Sequence, residues 1–186
     1  MRRFVLAAGL VLTAIGLSSC GSSVAAPPST TTTTLATTTT SVPGPPCVTQ
    51  QLAITTSSNS GMGHIGVVLI FTNTAASSCT EVGYPGVAAL TSSGVQAVQA
   101  IRTLSGYIVA VPDLPTVTLA HGESASAIVE GTDVPSGDAT SCPTYPRLLV
   151  TPPNATESVT IDETMPGCSP IEVHPVVPGT TGMNQQ

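Results

Sequence analysis

Beyond residue 46 the apolar residues of this chain come in short runs, each cut off by Gly, Pro, Ser or Asn. No stretch carries apolar residues at helical spacing over ten positions between capping residues. A chain patterned in this way buries apolar surface by pairing strands. The clearest run is His64-Ile65-Gly66-Val67-Val68-Leu69-Ile70-Phe71-Thr72-Asn73, with Ile65, Val67, Leu69 and Phe71 on one face and Val68 and Ile70 on the other. Apolar on both sides, it predicts a central strand. Further strands are predicted over 52–55, 87–91, 95–101, 116–119, 124–129, 147–151, 158–161 and 171–176. In Ser124-Ala125-Ser126-Ala127-Ile128-Val129 small residues alternate, which predicts a half-buried strand with a tightly packed inner face. Gly83-Tyr84-Pro85-Gly86 and Ala120-His121-Gly122-Glu123 read as turns between runs. The expected fold is all-β, an immunoglobulin-like antiparallel β-sandwich. With two Phe, three Tyr and no Trp, its core falls to Val, Leu, Ile and Ala.

Five cysteines divide into one and four. Arg2 and Arg3 precede an apolar run from Phe4 to Leu17, shorter than the roughly 20 residues a spanning helix needs, so a removed export signal is expected over 1–19. The run ends Leu17-Ser18-Ser19-Cys20, which resembles the lipobox of bacterial lipoproteins. The resemblance implies that Cys20 carries a diacylglyceryl group and becomes the first residue after cleavage, placing the protein on the outer face of the cell membrane. Each buried methylene contributes about 0.8 kcal/mol, so two or three chains suffice to hold it there. Cys47, Cys79, Cys142 and Cys168 remain, and in an oxidising compartment they are expected to form two structural disulfides. Four cysteines allow three connectivities. Pairing in order, Cys47 with Cys79 and Cys142 with Cys168, closes two loops of comparable size and is the favoured choice. Neither pair is a CxxC, which argues for staples over redox chemistry.

From Gly21 to Pro46 the chain is almost wholly Ser, Thr, Pro, Ala and Gly. Such a composition builds no core, so 20–46 is expected to be a lipidated, disordered stalk and a candidate for O-glycosylation. Its reach is about 30 Å as a coil and up to about 80 Å if stiffened. The folded domain is expected over 47–177 and a disordered polar tail over 178–186. Loss of the signal leaves Arg102 and Arg147 against ten acidic residues, with no Lys anywhere. That balance excludes nucleic-acid binding by phosphate neutralisation and leaves no electrostatic hold on anionic lipid headgroups.

Several features of 47–178 together resemble an uncharacterised domain family common in actinobacterial exported proteins and lipoproteins. They are Cys47 followed by Leu52; Gly63 and Gly66 before a strand ending Phe71-Thr72-Asn73; Cys79 leading to Gly83-Tyr84-Pro85-Gly86; Leu119-Ala120-His121-Gly122; Cys142; Leu149-Val150-Thr151-Pro152-Pro153; and Cys168. The resemblance implies a secreted β-sandwich with its cysteines paired in order. No catalytic residues are assigned in that family, so none are carried over.

Gly61-Met62-Gly63-His64-Ile65-Gly66 satisfies G-x-G-x-x-G, with Glu81 downstream where a ribose-binding acid would lie. A β-branched strand follows instead of a helix, so no helix N-terminus is available for a pyrophosphate, and an inter-strand turn is expected. His64, His121 and His174 are the candidate general bases or metal ligands, but none has HxH or HExxH spacing, and surface or edge positions are expected for all three. Acids gather at Glu130, Asp133 and Asp138, and again at Asp162, Glu163 and Glu172, without calcium-loop spacing. They read as solvated loop acids. No Gly-x-Ser-x-Gly elbow is present, and Asn154-Ala155-Thr156 reads as a turn. The expectation is a lipid-anchored envelope protein, not an enzyme, without cofactor or metal, displaying loops to an envelope protein or cell-wall ligand. The alternative is a metal-dependent or hydrolytic enzyme using His64, His121 or His174 with loop acids.

Overall fold

The run 64–73 forms the second of two long strands, β1 (Leu52–Gly61) and β2 (His64–Asn73), joined by a two-residue hairpin turn. Met62 (φ +54°) and Gly63 (φ +81°) both take the left-handed backbone that such a turn demands. The glycine-rich motif is therefore a hairpin tip, as its following strand predicts. These strands belong to a computed structural model that describes residues 44–184. The expected signal peptide over 1–19, Cys20 and the expected stalk up to residue 43 lie outside the described residues.

The remaining strands are β3 (Cys79–Val82), β4 (Gly86–Leu90), β5 (Gln96–Gln99), β6 (Ile101–Arg102), β7 (Thr116–Leu119), β8 (Ser124–Thr132), β9 (Thr144–Tyr145), β10 (Arg147–Thr151), β11 (Val159–Ile161), β12 (Met165–Pro166), β13 (Glu172–Val173) and β14 (Val177–Pro178). One sheet runs β1-β2-β8-β13-β6, with β14 also on β8; a second runs β11-β10-β4-β5; β3-β7 and β9-β12 form two short ladders. The two larger sheets share one core. Val67, Leu69 and Phe71 from β2 and Ala125, Ala127 and Val129 from β8 meet Val87 and Ala89 from β4 and Leu148 and Val150 from β10. Between these strands the pairings are antiparallel except β6 with β13, and an isolated parallel bridge joins Pro46 to Thr80. Cys47 bonds Cys79 and Cys142 bonds Cys168, with Cα atoms 4.9 and 4.8 Å apart.

Three differences from the sequence reading have physical causes. The run 95–101 is broken at Ala100, whose N–H donates to Val87 O in one sheet while the next N–H, that of Ile101, donates to Ile171 O in the other. Buried Ala100 is the point where the chain changes sheets. The run 171–176 is likewise interrupted at His174-Pro175, because proline has no N–H to give the ladder. Finally, 124–129 is buried on both faces rather than one, as Val68, Ile128 and Val177 on the outer side of the sheet lie under Val109 and Val111 of the β6–β7 connection. The stretch after Pro178 is held as far as Gly182, whose N–H donates to Ser126 Oγ, while that of Gly179 donates to Ser124 O.

Candidate functional site

The β6–β7 connection folds over the outer face of the first sheet as a small flap. Val111 N–H donates to Leu104 O, Gly106 N–H donates to Val109 O, and Ser105 bridges Ala110. Glu130 fastens its tip. This side chain is on the outer face of β8, the same face as Ile128, and its Oε1 and Oε2 accept the N–H groups of Tyr107 (2.7 Å) and Ile108 (2.8 Å). The fit is close enough that a Cβ on Gly106 would overlap the Glu130 carboxylate and approach His174 Nε2 to 2.9 Å. Glu130 is 4% exposed, so it is a buried strand residue and not the solvated loop acid its surroundings in sequence suggested.

Between the flap and the β1–β2 hairpin lies a cleft of about 170 Å³, lined by His64, Tyr107, Glu130, Ser169, Pro170 and Glu172. The His64 and Tyr107 rings stack with centroids 3.4 Å apart and planes 6° apart. Glu172 on β13 stands directly opposite Glu130 on β8, so two carboxylates face each other across one strand pair. Burial, and after it the charge on Glu130, raises the Glu172 pKa above the ordinary carboxylate value. Glu172 is therefore also a strand residue, whereas Asp133, Asp138 and Asp162 are exposed as expected.

The three histidines part company. His64 opens β2 and forms a wall of the cleft. His121 is exposed in the turn at the far end of β8, with Nδ1 3.2 Å from Ala75 O. His174, expected at a surface or edge, is fully buried beneath the flap, with Nε2 3.5 Å from Glu130 Oε1 and neither ring nitrogen hydrogen-bonded. Burial lowers its pKa, outweighing the opposing pull of Glu130, so the ring is neutral at neutral pH. Among the described residues no group of three His, Cys, Asp or Glu is placed to hold a metal ion. The arrangement offers negative charge, a stacked aromatic pair and apolar surface: Met62 at the hairpin tip is 90% exposed, Tyr107 62%, and Val134, packed on Gly63, 54%.

Sequence reasoning missed Tyr107 and took Glu130 for a solvated loop acid. The signal for Glu130 was present, since the alternation 125-127-129 inward and 126-128-130 outward continues one residue past the run that was recognised. Tyr107 gave only the cue of an aromatic ring opening the short apolar run Tyr107-Ile108-Val109-Ala110-Val111. A larger hollow of about 340 Å³ beside Val117, Leu119 and Pro178 contains no comparable convergence of titratable groups.

The fold and the cleft together define a disulfide-stapled all-β domain with a recessed acidic patch at one end of its sheets. Its kinship is shown at the level of the domain. The chain belongs to the family described as domain of unknown function (DUF4232), whose model matches residues 47–177. No curated protein matches the chain.

Proposed function

We propose that this chain is a lipid-anchored cell-envelope protein, held to the outer face of the membrane through Cys20, whose non-enzymatic sandwich binds a protein or cell-wall component through the end that carries the cleft. The observation that supports this reading most directly is the placement of apolar side chains around an acidic recess at one end of β2 and β8. His64 pairs with Thr132 at that end, and Thr72 pairs with Ser124 at the other. Met62, Tyr107 and Val134 project there, where a folded domain ordinarily keeps polar loops. The described chain begins at the opposite end: Gly44 and Pro45 accept hydrogen bonds from Thr80, and the residue before it, Cys79, is paired with Leu119 beside the His121 turn. A tether entering there presents the cleft away from its point of attachment.

Two measurements test this. Intact mass of the full chain from native membranes should start at Cys20 with acyl groups attached; a chain starting upstream with a free thiol would remove the anchor. A photo-crosslinking residue at position 62 should capture a discrete envelope component that the same residue at position 121 does not. Equal labelling from both ends would remove the assignment of the cleft end.

A further inference from the structure

The geometry points to a basic segment of a partner protein as the occupant of this cleft, with one Arg or Lys side chain entering between the His64–Tyr107 stack and Glu172. This inference rests on the cleft end being the binding end. It adds the chemistry of what binds.

The argument is one of charge complementarity. Glu130 and Glu172 are directly opposed on neighbouring antiparallel strands, an arrangement that costs stability for like charges. The flap amides of Tyr107 and Ile108 hold the charge on Glu130, but among the described residues no cation is paired with Glu172. Of the two arginines in the described residues, Arg147 uses Nη2 to donate to Thr91 O and Ser92 O, and Arg102 is opposite Val173 on β6; neither lines the cleft. His64 stands in the wall of the cleft, stacked on Tyr107, and the basic side chain in reach of Glu130 is His174, which is fully buried, without a hydrogen bond on either nitrogen, and directed at Glu130 Oε1 from beneath. Burial keeps it neutral, so it supplies no counter-charge. Among the described residues Glu172 is thus left without a paired cation, in a recess with an exposed aromatic wall.

A guanidinium or ammonium group matches each of these features. Glu172, partly exposed, is the direct partner, while Glu130 has both oxygens engaged by the flap amides and acts through its field. Tyr107, stacked on His64 and 62% exposed, supplies aromatic surface beside the carboxylate for a cation, and exposed Met62 and Val134 supply apolar surface for the aliphatic stem and its neighbours. Over the whole chain, ten acidic residues against four basic ones steer such a segment in and make the encounter dependent on salt.

The test uses the full chain in detergent and a fluorescent hexa-arginine peptide followed by anisotropy, with hexa-glutamate as the charge control. Wild type should bind hexa-arginine alone, more weakly as salt rises, with the His64 ring resonances shifting on addition. Glu172→Gln should weaken binding by about tenfold, and Glu157→Gln, the same charge change at the other end, by less than about twofold. Tyr107→Leu should also weaken it, and decides the matter if the Glu172 variant does not fold. Absence of binding by wild type overturns the inference, as does equal weakening by the changes at 172 and 157. If hexa-arginine fails while crosslinking at position 62 persists, the cation is wrong and the cleft end stands; if both fail, the binding end itself is misassigned.

Discussion

Glu81 lies on the inward side of β3, two residues from Cys79, with none of its surface exposed and neither oxygen hydrogen-bonded. Burial of an unpaired carboxyl penalises its charged form and raises its pKa to about 8. Folded protein therefore keeps a proton there that the unfolded chain, with an ordinary value near 4.5, releases. Stability from this residue is complete below about pH 4.5 and is lost as pH rises towards 8, at most about 1.4 kcal/mol per pH unit. Thermal melts of Glu81→Gln should lack the loss of stability that wild type shows as pH rises from about 6.5 to 8. His174 acts in the opposite direction. Its pKa is lowered from the ordinary 6.5, so the unfolded chain binds a proton that the folded one refuses, and its contribution falls as pH drops below 6.5. The expected result is that His174→Leu removes the acid-side loss of stability and leaves the alkaline side unchanged. Neither residue was legible as buried: Glu81 follows Cys79-Thr80 with no apolar run around it, and His174 precedes a proline.

At the scale of an element, the flap over β2 and β8 is held by one carboxylate and a small apolar cluster. Gly106 has a reason that owes nothing to positive φ: a Cβ would occupy the space of the Glu130 carboxylate. Gly106→Ala should cost about 1 to 3 kcal/mol of stability and expose the Tyr107 and Ile108 amides, which hydrogen exchange would register as lost protection. Protection unchanged in the variant would mean that the latch is not what holds the flap. The strands beneath were legible because β2 is apolar on both faces, and its outer residues Val68 and Ile70 do find a second cluster. What covers them was not legible. Leu104 to Val111 is placed by a carboxylate from a strand distant in sequence together with the packing of Val109 and Val111 on Val68 and Ile128, neither of which its own residues announce.

For the whole molecule, the two disulfides span 32 and 26 residues and tie segments that hold few ladder bonds of their own. In the chain-entropy model each contributes roughly 3 to 4 kcal/mol. The pair Cys47→Ser and Cys79→Ser should therefore lower the midpoint of denaturant unfolding markedly, with a similar loss for Cys142→Ser and Cys168→Ser; a negligible shift would contradict their role as staples. Local pattern alone determined that this chain pairs strands, where the central strand lies and which four cysteines are available, because a side-chain period of two and the placement of turn residues are properties of neighbours in sequence. Tertiary structure alone decided which acids are buried, which histidine meets a carboxylate, and that Tyr107 closes a cleft with His64. Those facts depend on β8, β13 and the flap coming together from separate parts of the chain, and burial and charge coupling exist only once distant residues share the same low-dielectric space.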